Sequence, residues 1–397
     1  MILSLFFWLL LVILIYTYLG YALILYVLLK LKKLFLTGNP WKPDPDYEPK
    51  VCLFVTAYNE KDYVDQKVKN SFSLDYPKEK IQYLWITDGS DDGTPDLLKK
   101  YPGLEVHHSP ERRGKMHAMN RGVKFVKAPI IIFSDTNTVL GKTSIREIVA
   151  KFSNPETGCV AGEKRIVKKQ SDVAAGAGEG LYWKIESWIK NMDAELNSAV
   201  GAVGELFAIR TELFEEVESD TLLDDFIISL RIAQKGHHIA YTPNAYAEES
   251  ASLNVKEEMK RKIRIAAGGI QTIFRLKSLL NPFKYGLLSW QYFSHKVLRW
   301  TLAPVALFLF LPVNFLVVFQ QNDWSIFSFY GVVFYLQILC YLLALTGRFF
   351  ENRRIRQKVL FLPYYFVSTN YAALRGIFRY YKGKQSVNWE RAKRANY

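Results

Sequence analysis

Three short apolar runs, each ending in an acidic residue or followed by one within three residues, constrain the fold of this chain more than any other feature. The runs are Val51–Ala57, Gln82–Asp88 and Pro129–Asp135, and they are separated by stretches of helical character: Asp62–Leu74, Pro95–Tyr101 and Lys115–Val126. This alternation predicts an α/β fold with a mostly parallel sheet and helices on both faces. Because ligands bind at the carboxyl edge of such a sheet, the polar residues at these strand ends are candidates for a ligand site.

The first two strand ends suit a nucleoside. Tyr58 offers an aromatic face and Asn59 an amide, which together can hold a base. Glu60 can accept a hydrogen bond from the base or the ribose, and Asp88 can accept one from a base imide. An Asx turn with Gly89-Ser90 is the alternative for Asp88, and the two roles are compatible.

The next two motifs suit a diphosphate and a metal ion. Gly114-Lys115 precedes a helix, where backbone N–H groups and an ammonium can bind a phosphate; a solvated lysine is the alternative. Asp135-Thr136-Asn137 supplies oxygen ligands of the kind that Mg²⁺ or Mn²⁺ prefers. A cation held there by Asp135 and Asn137 would neutralise charge on a departing diphosphate.

A pair of acids further along suits a general base. Asp224-Asp225 follows the stretch Gly201–Glu205, whose glycines predict close approach of a bulky ligand to the backbone. One acid can take the proton of an attacking hydroxyl, and the other can cap the helix Phe226–Gln234. We assign the cap to Asp224 and the base to Asp225.

A helix predicted over Ala174–Leu196 carries several aromatic residues. Core packing and contact with a ring-shaped acceptor are both open for them, and we assign Trp183 to the acceptor. Gly204, Glu205 and Asp224 are the other acceptor candidates.

The chain also carries membrane segments. Ile2–Leu29 has no charged residue and is long enough to cross a bilayer. Lys30, Lys32 and Lys33 follow directly, so the positive-inside rule places the next domain in the cytoplasm. Two further spans are expected near Trp300–Phe319 and Trp324–Gly347. We therefore expect a multi-pass protein of the cell (inner) membrane.

The last apolar segment, Val359–Phe378, is interrupted by polar residues and by Pro363. If it crossed the membrane, the basic tail Lys382–Arg394 would lie outside, against the charge rule. We expect a re-entrant or interfacial segment. The predicted organisation is an anchor (1–33), a linker (34–50), a catalytic domain (51–255), interfacial amphipathic helices (256–292), two transmembrane helices (293–347), and a basic loop, interfacial segment and cytoplasmic tail (348–397).

The net charge of +14 does not indicate nucleic acid. Much of the excess flanks the apolar spans, where it fixes topology and meets anionic lipid. The three cysteines are far apart, have no metal-binding spacing and fit a reducing cytoplasm.

In this order, the motifs resemble those of the membrane-integrated family 2 glycosyltransferases, which include cellulose, chitin, hyaluronan and poly-N-acetylglucosamine synthases. The resemblance implies a GT-A fold, a UDP-sugar donor, a divalent metal and inverting transfer of a hexosyl or N-acetylhexosaminyl group to a saccharide or lipid-linked acceptor. It also implies individual roles: uridine contacts for Ala57, Tyr58, Glu60 and Asp88, ribose and metal contacts for Asp135, and the catalytic base for Asp225.

The chain departs from the family pattern twice. Asn137 stands where a second aspartate is usual, which predicts weaker metal binding. The family's Gln-x-x-Arg-Trp motif has no full match, and the nearest segments are Arg261–Ile265 and Lys296–Trp300. We favour the first, with Arg261 and Arg264 at the donor, because it lies on a basic amphipathic segment typical of a membrane surface.

The product stays open at this point. Three spans favour single transfer or short products, unless an oligomer or a partner subunit completes a channel. A non-catalytic, nucleotide-binding subunit of a synthase complex is the alternative, and the intact Asp135 and Asp225 argue against it.

Overall fold

A computed structural model describes residues 1–35, 44, 46–167, 174–252, 255–350 and 358–383. Its sheet has the strand order β3-β2-β1-β4-β7-β6-β8-β5. The strands are β1 (Val51–Ala57), β2 (Ile81–Asp88), β3 (Leu104–Ser109), β4 (Ile130–Asp135), β5 (Val139–Leu140), β6 (Thr157–Val167), β7 (Leu206–Arg210) and β8 (His238–Ser250).

Helices surround this sheet and continue into the membrane part. They are α1 (Ile2–Ile15), α2 (Tyr21–Phe35), α3 (Lys61–Ser73), α4 (Thr94–Lys99), α5 (Lys115–Val123), α6 (Ser144–Lys151), α7 (Ala174–Leu196), α8 (Asp224–Gln234), α9 (Val255–Arg275), α10 (Pro282–Tyr285), α11 (Leu287–Tyr292), α12 (Leu298–Trp300), α13 (Leu302–Gln321), α14 (Phe329–Phe350) and α15 (Lys358–Tyr381). A π-helical turn, Tyr16–Gly20, joins α1 to α2.

The sheet is parallel where the sequence predicted it and mixed beyond. β2 pairs with β1 and β3, and β4 with β1, all in parallel. β7 then runs antiparallel to β4 and β6, while β8 lies parallel to β6. β1 therefore lies between the next two parallel strands, β2 and β4, and the chain direction along the sheet reverses there. Such a reversal opens a crevice for ligands at the carboxyl ends of the strands.

Both faces of the sheet are buried, as a parallel sheet requires. Along β1, Phe54 faces one apolar cluster, shared with α5 and α8, while Leu53 and Val55 face the other. The whole of β1 is buried, so the first polar groups after it emerge at the carboxyl edge.

Three helical segments are long and apolar enough to cross a membrane within the described residues: Ile2–Phe35, Leu302–Gln321 and Phe329–Phe350. They correspond to the three predicted spans; which side each loop faces stays a prediction. α15 is helical over the segment that we expected not to cross, and it packs along α9. At their contact, a Cβ on Gly376 would lie 2.5 Å from Ala266 Cβ. The tail beyond residue 383 lies outside the described residues.

The N-terminal helix also contacts α7 and α15. Lys32 Nζ donates to the carbonyl oxygens of Glu195 and Leu196 at the end of α7, at 2.8 Å each. Tyr21 donates its hydroxyl to Asp193, also on α7, and Tyr18 donates to Asn370 on α15. The anchor is thus attached to two helices that border the site described next.

Candidate active site

A cavity of about 990 Å³ opens between the carboxyl edge of the sheet and the helices α7, α8, α9 and α15. Most of the predicted site residues line it: Glu60, Lys115, Asp135, Asn137, Trp183, Gly204, Glu205, Asp224, Asp225, Arg261 and Arg264. Ala57, Tyr58 and Asp88 line a smaller pocket that shares Lys115 with the large one. The topology therefore brings the residues of all four motifs to one place.

The smaller pocket is shaped by Asp88. Its Oδ2 accepts backbone N–H bonds from Arg113 (2.9 Å) and Gly114 (2.7 Å), rather than forming the Asx turn considered from the sequence. Its Oδ1 is buried and has no hydrogen-bond partner among the described residues. Because a buried carboxylate oxygen is costly to leave unsatisfied, this atom is suited to accept an N–H group from a ligand.

Two residues at this pocket differ from expectation. Arg112, which sequence reasoning missed, holds its guanidinium 3.9 Å from the centre of the Tyr58 ring. Asn59 lines neither pocket in the described part of the chain; its amide exchanges hydrogen bonds with Asp91. These hydrogen bonds shape the loop, and the role expected of Asn59 at a base stays a prediction.

Lys115 joins two of the predicted motifs. Its Nζ lies 3.0 Å from Asp135 Oδ1 and 2.9 Å from Asp224 Oδ2, and these carboxylates hold the pKa of Lys115 above its usual value. The prediction that Asp224 caps α8 is wrong. The helix begins at Asp224 itself, Leu223 precedes it without a side-chain cap, and the Asp224 carboxylate points to Lys115 instead.

Asp225 has the properties of a base. Burial, reinforced by the neighbouring charge of Asp224, raises the pKa of the Asp225 carboxyl to about 7, with Lys115 opposing the shift. Gly204 lies alongside: a Cβ there would be 3.6 Å from Asp225 Oδ2. A carboxylate with a pKa near neutrality combines an adequate ionised fraction with strong basicity.

The glycines before α8 serve two different purposes. Gly201 has φ +84°, and a Cβ on it would lie 2.3 Å from the Phe226 ring. It therefore makes room for a core side chain and not for a ligand, which corrects the expectation from the sequence. Gly204 does line the cavity.

The motif predicted to bind a metal, Asp135-Thr136-Asn137, begins at the end of β4. Asn137 Nδ2 donates to Glu249 Oε1 at 3.0 Å. The amide oxygen of Asn137 takes no part in this hydrogen bond. Lys164 binds Glu249 at 2.5 Å and also binds Glu205. Within the described ranges no group of three His, Cys, Asp or Glu side chains is arranged to hold a metal ion. A cation beside Asp135 would thus need oxygens from its ligand to complete its coordination.

Sequence reasoning also missed Lys67 on α3. It is 1% exposed, and its Nζ donates to Ser134 Oγ (2.7 Å), Thr138 Oγ1 (3.0 Å) and Thr138 O (3.0 Å). Burial lowers the pKa of Lys67 to about 7. Its hydrogen bonds hold the two ends of the metal motif. A signal was present, because Lys67 lies at helical spacing from the apolar Val64.

Both candidates for the Gln-x-x-Arg-Trp motif reach the cavity. Arg261 pairs with Glu258 at 3.0 Å, whereas Arg264 makes no hydrogen bond or ion pair with the described residues. Burial lowers the pKa of Arg264, and the charge of Asp224 opposes this. Arg299, from the second candidate, binds Glu186 at 2.9 Å. Our preference for the first segment stays a prediction.

A mixed sheet with carboxylates at its ligand-binding edge, facing a paired-acid helix start and a basic helix, defines a nucleotide-diphospho-sugar glycosyltransferase with a GT-A fold. The chain belongs to the glycosyltransferase-like family 2, whose model matches residues 49–268. It is a membrane-associated enzyme of that family, related to polysaccharide synthases.

Three proteins illustrate the similarity. A poly-β-1,6-N-acetyl-D-glucosamine synthase from Staphylococcus epidermidis is 23% identical over 336 residues, which are 79% of each chain. The match to a Staphylococcus aureus (strain MSSA476) synthase of the same name is 24% identical and covers 57% of this chain and 56% of the relative, a little over half its length. Among solved structures, the mannosyltransferase PcManGT from Pyrobaculum calidifontis, in complex with GDP-Man and Mn²⁺, has a TM-score of 0.68 and 19% identity, over 96% of this chain and all of that one.

Proposed function

We propose that this enzyme transfers a sugar, with inversion, from a UDP-sugar to a hydroxyl of a lipid-linked saccharide at the cytoplasmic face of the cell membrane. Asp225 is the general base. The donor occupies the sheet-edge side of the cavity and the acceptor enters from the membrane side.

One observation carries this proposal: a single cavity joins the sheet edge to the membrane helices. Asp135 and Asp225 line it on the side of the sheet, and Tyr18, Leu362 and Phe366 line it on the side of the N-terminal helix and α15. An acceptor that is anchored in the membrane can therefore reach Asp225 without leaving the lipid.

The chemistry follows from the charges in the cavity. The Asp225 carboxylate takes the acceptor O–H proton while that oxygen forms a bond to the anomeric carbon. The bond from this carbon to the diphosphate oxygen breaks, and its electron pair leaves with the nucleoside diphosphate. Arg264 lies where it can stabilise the charge on that leaving group, and attack from the opposite face inverts the anomeric configuration.

A divalent metal fits the donor side. The Asp135 carboxylate and the Asn137 amide oxygen would hold it, and the diphosphate would supply the remaining ligands. The ion would provide Lewis-acid stabilisation of the leaving group. The Pyrobaculum mannosyltransferase, solved with Mn²⁺, supports this choice of cofactor.

The pocket at Asp88 supports uracil as the base. Its buried Oδ1 accepts no hydrogen bond from the described residues, lies 3.9 Å from His117 Nδ1 and matches the imide N–H of uracil, and Tyr58 lines the same pocket. Guanine carries a comparable N–H group, and the Pyrobaculum enzyme was solved with GDP-Man. Uridine and guanosine donors are therefore both to be tested.

The second candidate function is processive synthesis of a polysaccharide, which the names of the staphylococcal relatives favour. The test is product analysis. Purified full-length protein is incubated with a panel of UDP- and GDP-sugars, Mn²⁺ and membrane lipid extract, and the products are separated by chain length. We expect one sugar added to a lipid-extractable product. A water-soluble polymer would establish the second function, and donor consumption without any glycosylated lipid or polymer would contradict both.

A further inference from the structure

The cavity lining from α7 and α12 contains a group of cations to which the transfer described above assigns no role. Lys190 on α7, Lys296 just before α12 and Arg299 on α12 line the cavity. We define these three residues as the cationic cluster. The carboxylate among them is Glu186, which binds Lys296 and, at 2.9 Å, Arg299. Three cations thus face one carboxylate.

Lys190 is the cation left over. It is 4% exposed yet lines the cavity, and no described residue forms a hydrogen bond or ion pair with it. Burying an ammonium without a partner is costly. Burial and the neighbouring charge of Lys296 lower the pKa of Lys190 to about 8. A buried ammonium aimed into a cavity is suited to bind an anion.

Nearby acids do not satisfy this charge. Asp193, one turn further along α7, accepts from Tyr21 and from His295 Nδ1 at 2.6 Å. Glu186 also receives the second nitrogen of His295, at 3.3 Å. Glu186, Asp225 and Glu205 attract Lys190 electrostatically, but among the described residues none of their carboxylates forms an ion pair or a hydrogen bond with its ammonium, which stays available to an anion in the cavity.

An apolar rim lies next to the cationic cluster. Leu181, Ile185 and Leu362 line the cavity, and each is at least 40% exposed. Leu181 and Ile185 are four residues apart on α7 and therefore lie on one face of that helix. A ligand with an anionic group and a hydrocarbon tail would match the cationic cluster and the neighbouring apolar rim.

We propose that the cationic cluster binds the phosphate through which the acceptor's saccharide is attached to its lipid, so that the acceptor is a lipid phosphate- or diphosphate-linked saccharide whose hydrocarbon tail leaves over Leu181, Ile185 and Leu362. This inference rests on the proposed function and specifies its substrate class. Lys190 is a binding residue for the linkage, and Asp225 receives the hydroxyl at the sugar end.

The experiment compares two acceptors that carry the same sugar and the same prenyl chain. In one the sugar is linked through a diphosphate, and in the other directly through a glycosidic bond. Full-length enzyme is assayed in neutral detergent micelles at saturating donor, so that the acceptor linkage is the only phosphate besides the donor. We expect the KM for the diphosphate-linked acceptor to be lower by about tenfold or more, as a charge-assisted hydrogen bond predicts.

Variants assign the effect to the cluster. Lys190→Met should raise the KM for the diphosphate-linked acceptor about tenfold, with little change in kcat, in the KM for the donor, or in the KM for the neutral acceptor. Lys190→Arg should restore most of the difference. Lys184→Met, an exposed lysine of the same helix, is the matched control and should change neither KM.

A measurement on the wild type covers the case in which Lys190→Met does not fold. Prenyl diphosphate without a sugar should inhibit competitively against the acceptor, whereas prenyl alcohol and phosphatidylglycerol should not. Equal KM values for the two acceptors, or equal inhibition by phosphatidylglycerol, would overturn the inference. Transfer to the neutral acceptor alone would leave the proposed function standing, and transfer to no lipid-linked hydroxyl would remove the proposed function itself.

Discussion

Replacement of Asp225 by asparagine is the most direct test of the catalytic assignment. The asparagine retains the shape of the side chain but cannot accept the acceptor proton, so kcat should fall by about 10²-fold or more. Donor binding should change little, because Asp225 acts on the acceptor. The assay is the rate of nucleoside diphosphate release, with donor affinity measured separately by calorimetry.

The pH dependence of activity provides a second, independent test of Asp225 as the base. With its pKa at about 7, Asp225 is ionised above neutrality and protonated below it. Activity should therefore decline as the pH falls through 7, by about tenfold per unit and by about 100-fold between pH 8 and pH 5. The asparagine variant should lose this acid limb.

The melting temperature distinguishes loss of the base in Asp225→Asn from loss of activity through unfolding. The raised pKa means that the ionised carboxylate destabilises the folded protein at alkaline pH. Asp225→Asn should thus raise the melting temperature at pH 8 while removing activity. In the control Asp224→Asn, loss of the neighbouring charge should shift the acid limb to lower pH. An Asp225→Asn enzyme that keeps near-normal turnover, or the same acid limb, would refute the assignment and direct attention to Asp224.

Three further predictions concern other parts of the molecule. Excess chelator should abolish activity and Mn²⁺ or Mg²⁺ should restore it; full activity in chelator would contradict the metal assignment. Asn137→Asp should lower the metal concentration that gives half-maximal rate, because a charged oxygen replaces a neutral one. Gly201→Ala should destabilise the protein by about 2 kcal/mol or more in chemical denaturation, through its positive φ and its contact with a core ring, whereas Gly204→Ala should affect acceptor KM more than stability; equal destabilisation would contradict this distinction. In intact cells, in a background without native cysteines, Gln321→Cys should react with an impermeant thiol reagent. Ser386→Cys, which lies outside the described residues, should react only after the cells are opened. Labelling of both in intact cells would mean that α15 crosses the membrane.

The three strands that could be predicted from sequence are buried on both faces. β1, β2 and β4 are near-continuous apolar runs, and their bounds agree with the prediction to within a residue. β6 was missed because it carries charged residues, among them Lys164. Those charges are compatible with burial only because Glu205 and Glu249 arrive from distant parts of the chain.

The candidate site divides in the same way. Strand-end residues such as Asp88 and Asp135 could be assigned from position alone, since parallel strands place their ends at one edge. The residue that a given side chain contacts could not be assigned from sequence position. Asp224 looked like a helix cap because caps are local, but Lys115, more than a hundred residues earlier, binds its carboxylate. Lys190 gave no motif signal at all, because its significance depends on which acids are already occupied around it.

The attachment of the N-terminal helix bears on how this enzyme can be handled. Besides the hydrogen bonds to α7 and α15, Tyr21, Leu25 and Leu29 of this helix form one apolar cluster with Ile189, Met192 and Leu196 of α7. A truncation that begins after the anchor would uncover that face of α7 and remove Tyr18 from the cavity wall. In such a protein, α7, the helix that carries Lys190 and Trp183, would be exposed to water on that face. Purification for assays should therefore retain the anchor in detergent or nanodiscs, and loss of activity on removing it would report damage to the acceptor site as well as release from the membrane.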